Sequence, residues 1–78
     1  MDWKERIDSN PEVCGGRPRI KGTRLTVEFL LSLKAAGWSE DAILREYPQL
    51  GADDLKAVFA FIQAVIEQDR FFPFPRVA

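Results

Sequence analysis

The sequence predicts a mainly α fold, a tri-helical helix-turn-helix preceded by a short N-terminal β element. Three observations predict it. Apolar residues recur at helical spacing in three runs after Thr26, separated by Gly37 and by the stretch Pro48 to Gly51. Each run opens on a residue suited to a helix start. Before Thr26 the chain is rich in glycine, proline and cations, a composition that favours turns and short extended pieces.

Taken in order, Trp3 to Ile7 is compatible with a short strand or an arm. Ser9-Asn10-Pro11 is a turn signal, because Ser and Asn bond locally to backbone and Pro fixes φ. Pro18 disfavours a helix or a central strand. If Arg17 to Lys21 is extended, alternation places Arg17, Arg19 and Lys21 on one face and Pro18 and Ile20 on the other. Gly22 is placed to supply a positive φ, after which Arg24 to Thr26 resumes an extended course with Leu25 inward.

Thr26 caps a first helix over about 27–36, with Glu28 in its first turn and Gly37 as its stop. Val27, Phe29, Leu30, Leu31 and Leu33 cover more than a narrow stripe, so this helix is expected to be largely buried. Ser39 caps a second helix over about 40–47, with Ile43, Leu44 and Tyr47 inward and Pro48 ending it. The third spans about 52–69 and opens on Asp53-Asp54. Its core register is Leu55, Val58, Phe59, Ile62, Val65 and Ile66, with Phe61 at the margin. Residues 1–70 thus read as one domain with an arm over about 1–26, and 71–78 as an aromatic and proline-rich tail.

A chain of 78 residues buries a marginal core, so a partner or a second copy is a natural source of added stability. Net charge is −1, but it is unevenly spread. Val13 to Val27 holds Arg17, Arg19, Lys21 and Arg24 and no acid, whereas Glu40 to Asp69 holds seven acids against Arg45 and Lys56. Such asymmetry orients a partner even when the total is near zero. With one cysteine and no histidine, an internal disulfide is impossible and metal sites built on Cys and His are not expected. No cofactor site, signal peptide or membrane span is read, and a cytoplasmic protein is expected.

The chain from Ile7 onward resembles a bacterial family catalogued as domain of unknown function 433. The carrying residues are Ser9-Asn10-Pro11, Cys14-Gly15-Gly16-Arg17-Pro18, Ile20-Lys21-Gly22-Thr23-Arg24 and Thr26-Val27. They continue as Ala36-Gly37-Trp38-Ser39, Ile43-Leu44, Tyr47-Pro48-Gln49-Leu50 and Asp54-Leu55. The resemblance implies a homeodomain-like helix-turn-helix and an antitoxin of the VapB type. Such a protein silences a PIN-like ribonuclease toxin and binds operator DNA. The FFPFP tail is not part of the resemblance.

The residues themselves point to a binding module, expected to be a homodimer, and not to an enzyme. Arg17, Arg19, Lys21 and Arg24 are the candidate polar surface, suited to phosphates or to an acidic protein cleft. The bland reading makes the glycine-rich stretch a turn, with Arg24 paired to Glu28 or a carbonyl. Phe61, Phe71, Phe72 and Phe74 are the candidate apolar partner surface. Major-groove reading by the third helix is disfavoured, because Asp53-Asp54 at its start would face phosphates badly. The alternative function is a stand-alone DNA-binding regulator using the basic strand or Arg45. Cys14 reads as a small buried apolar residue, and Asp53-Asp54 as helix-start acids.

Overall fold

Two short strands and three helices make up residues 2–69, the part of the chain described by this computed structural model. A 3-10 turn at Trp3–Glu5 leads into β1 (Ile7–Asp8), and a second at Cys14–Gly16 leads into β2 (Arg19–Ile20). The strands pair antiparallel, with Ile7 opposite Ile20 and Asp8 opposite Arg19. Alternation sends the two isoleucines into the core, where both are buried, and leaves the charged pair on the other side.

The other edge of β2 is covered by the chain running into the first helix. The Ile20 N–H donates to the Leu25 carbonyl at 3.0 Å, and the Val27 N–H donates to the Pro18 carbonyl at 2.9 Å. Pro18 can only accept in such a ladder, and here it only needs to. Leu25 is half-buried and packs on the core, as the inward reading requires. At Cys14–Gly16 three successive residues have positive φ (53°, 65° and 79°), which is why the chain carries a Gly-Gly pair there. Cys14 bears the steric cost of that turn. It is half-buried rather than buried, and its thiol reaches the Arg24 carbonyl at 3.4 Å.

The helices are α1 (Val27–Ala35), α2 (Glu40–Glu46) and α3 (Ala52–Asp69). The Thr26 hydroxyl accepts the Phe29 N–H at 3.0 Å, and the Ser39 hydroxyl accepts the Ala42 N–H at 3.1 Å. At the end of α1 the Gly37 N–H donates to the Lys34 carbonyl and the Trp38 N–H to the Leu33 carbonyl, a Schellman closure. α3 begins with the Asp54 carboxylate reaching back to accept the Gly51 N–H at 2.9 Å.

The core is Ile7, Ile20, Val27, Leu30, Ile43, Leu50, Leu55, Ala57 and Val58, drawn from both strands and all three helices. Two apolar expectations change. α1 buries a narrower stripe than expected: Val27 and Leu30 are buried, Leu31 and Leu33 are half-buried, and Phe29 stands edge-on to Tyr47 at the surface. On α3 the helix backbone presses on the body at Ala57, which is fully buried. That turns Phe61 inward and leaves Phe59, Val65 and Ile66, all expected in the core, 43%, 38% and 51% exposed. The small side chain at Ala57 permits the close approach, and a heptad count gives it no weight. Among the described residues no helix is long and apolar enough to cross a membrane.

Candidate functional site

The basic segment folds around one tight turn. The Thr23 N–H donates to the Ile20 carbonyl at 3.1 Å, and Gly22, at φ 76°, occupies the third position, where a side chain would be strained. The Thr23 hydroxyl fastens the turn from inside, donating to the Ile20 carbonyl at 2.8 Å and accepting the Leu25 N–H at 3.0 Å. Lys21 and Arg24 are exposed on either side of Gly22.

Arg19 does not belong to the free surface with which it was grouped. Its Nε donates to Asp8 Oδ1 at 2.9 Å and its Nη1 to the Thr23 carbonyl at 2.8 Å, and its side chain is only 14% exposed. Cross-strand register is the cause: Asp8 sits opposite Arg19, so the guanidinium is spent on the carboxylate beside it. Arg19 is therefore a brace that holds the turn against the sheet. Arg19→Ala is expected to lower stability by about 1–2 kcal/mol, the range for charge-assisted bonds discounted for the partly exposed Asp8. Urea denaturation of the variant checks this; an unchanged midpoint would remove the brace.

Arg17, Lys21 and Arg24 remain. Arg17 approaches Glu28 at 4.0 Å, with both side chains about two-thirds exposed. An exposed pair at that distance contributes little and is readily exchanged for another anion. The bland reading thus falls on a different arginine from the one expected, since Glu28 faces Arg17 and not Arg24. Among the described residues, Lys21 and Arg24 make no ion pair. Lys21 and Arg24 flank Gly22 on the turn, and Arg17 lies before β2, beside Glu28. All three are exposed cations able to engage phosphate or carboxylate oxygens.

Phe61 leaves the candidate apolar surface. It is half-buried and meets Trp3 edge-to-face, with ring centroids 4.9 Å apart. Phe71, Phe72 and Phe74 lie outside the described residues.

The acids at the start of α3 have partners that lie far away in sequence. Arg6 Nη1 donates to Asp54 Oδ1 at 3.1 Å, and Arg6 Nη2 lies 3.6 Å from Asp53 Oδ2. One carboxylate, Asp54, therefore caps α3 with one oxygen and ties down the N-terminal arm with the other. Their placement at a helix start accounts for both acids, and Arg6 adds a clamp between arm and helix.

This geometry has known relatives. A family model described as "Protein of unknown function (DUF433)" matches residues 7–62, which takes in both strands, the turn, α1, α2 and the first part of α3. This chain belongs to the DUF433 family. A crystal structure of a DUF433 member protein from Anabaena variabilis ATCC 29413 superposes with a TM-score of 0.75 at 38% identity, covering 83% of this chain and 65% of that one. The uncharacterized protein y4eO of Sinorhizobium fredii (strain NBRC 101917 / NGR234) is 31% identical over 61 residues, 78% of this chain and 28% of that protein. The chain thus spans less than two-thirds of the length of either relative. The DUF433 match includes Cys14-Gly15-Gly16 and the turn carrying Lys21 and Arg24, so the exposed cations lie within the family's segment.

Proposed function

We propose that this DUF433 domain is an antitoxin-like binding module. It neutralises a PIN-like ribonuclease by protein contact and has no catalytic activity of its own. The observation that supports this reading most is that Lys21 and Arg24, on the braced turn, and Arg17, before β2, are exposed and, apart from the loose Arg17–Glu28 approach, without carboxylate partners among the described residues. A nuclease site that holds Mg²⁺ is rich in carboxylates. Guanidinium groups match carboxylates in two-pronged hydrogen bonds, and a charge brought that close competes with the metal.

Operator binding is the second half of the proposal, and the same cations are the surface for it. The start of α3 is poorly suited: Asp53 and Asp54 stand where a groove-reading helix would meet phosphates, and Asp54 is committed to Arg6 and the Gly51 N–H.

Co-expression with the product of the neighbouring reading frame tests the reading. The expected result is a complex that survives purification and silences that product's ribonuclease activity. A stand-alone regulator gives no complex, and binds DNA with an affinity that falls with log salt at a slope of about −0.9 per phosphate contact.

A further inference from the structure

One apolar surface lies apart from the basic cations and runs from the edge of the core onto exposed helix. Along α3, Phe59, Ile62 and Ile66 follow one another at i, i+3 and i+7 and so share one face. Phe59 and Ile66 are exposed, and Phe59 shares a shallow cleft with Leu31 and Lys34 of α1. Ile62 is the last α3 residue packed on the core, so the strip continues onto a part of the helix that has outrun the body. From Ala57 to Ile66 the helix carries no charge; the first charges on either side are Lys56 and Glu67.

We propose that this strip is the two-fold interface of a homodimer, in which two copies of α3 run antiparallel across each other. Three features select a second copy over other occupants. A two-fold contact sets a surface against itself, and a strip without charge does so with no like-charge repulsion. Lys56, which only loosely approaches Asp53 at 3.9 Å, and Glu67, which accepts from Gln63 at 3.2 Å, lie about three turns apart and fall on the same flank of the strip. Antiparallel packing centred near Ile62 brings same-side flanks together, so Lys56 of one copy faces Glu67 of the other, and Phe59 faces Ile66. A parallel arrangement would set that flank against the opposite one, which carries Val58 and Val65 and no charge. Finally, a core of this size gains from apolar area buried between copies. The dimer leaves the basic cations of each copy free, and it does not depend on what they bind.

Sedimentation equilibrium of the full chain tests the proposal. The expected result is a dimer whose dissociation constant rises about tenfold or more on Ile66→Lys. Ile66 is half exposed, and circular dichroism of the variant verifies that the helices remain. Lys56→Glu and Glu67→Lys each weaken the dimer, and the two combined restore it to within about threefold of the parent, as coupled neighbours require. Removing residues 70–78 leaves dimerisation in place. The proposal is overturned by a monomeric full chain, by a dimer indifferent to Ile66→Lys, or by a charge swap that restores nothing. It is equally overturned by a chain that dimerises only without residues 70–78, which would make the chain's own tail the occupant of the strip.

Discussion

Ile43→Ala is expected to destabilise the protein by about 3 kcal/mol, in the middle of the range for removing a buried aliphatic side chain. Ile43 is fully buried at the centre of α2, among core residues supplied by every other element, so the cavity has no route by which to collapse. A chain of this length has a total stability of about 4–12 kcal/mol, of which that loss is a large share. The melting temperature should fall by about 15 °C, given the small unfolding entropy of so short a domain. Ile43→Val, which removes one methyl group, should cost about 1 kcal/mol. Thermal and urea denaturation of the pair read both values. A loss below about 1 kcal/mol for the alanine variant would mean that the core does not converge on α2.

The second large effect is on binding. Reversing two charges, Lys21→Glu with Arg24→Glu, is expected to weaken partner binding by about a hundredfold or more. Two charge-assisted contacts are lost and two repulsive ones replace them. Both side chains are exposed and, among the described residues, unpaired, so stability should stay within about 0.5 kcal/mol of the parent. Arg19→Ala should do the reverse, lowering stability through the broken brace while the exposed cations remain. That crossed pattern separates a recognition surface from a turn scaffold, although both come from the same short stretch of sequence.

The parts of the fold that are set locally were readable in advance. Thr26 and Ser39 cap the helices they were expected to cap, because a hydroxyl needs only the N–H three residues ahead. Gly22 and Gly37 take the positive φ that their positions suggest. What escaped was decided by contacts between distant residues. Arg19 counts as a free cation until strand register sets Asp8 opposite it. Arg6 gave no signal, since its partner Asp54 lies 48 residues away. On α3, apolar residues nearly encircle the helix, and periodicity cannot say which of them faces inward. The side chain of Trp3, reaching Phe61 from the N-terminal turn, and the close approach at Ala57 settle the rotation and leave Phe59, Val65 and Ile66 outside. Of the four candidate cations, Arg17, Lys21 and Arg24 are exposed, and Arg19 is taken up by Asp8 and the Thr23 carbonyl.

Recognition here depends on a braced turn that offers Lys21 and Arg24, with Arg17 before the strand, to another macromolecule. Isothermal titration of the purified product of the neighbouring reading frame with the parent protein and with Lys21→Glu/Arg24→Glu tests that most directly. The account predicts tight binding by the parent and a loss of about a hundredfold in the variant, at matched stability. Equal affinity for both proteins, or no binding by the parent, would contradict it.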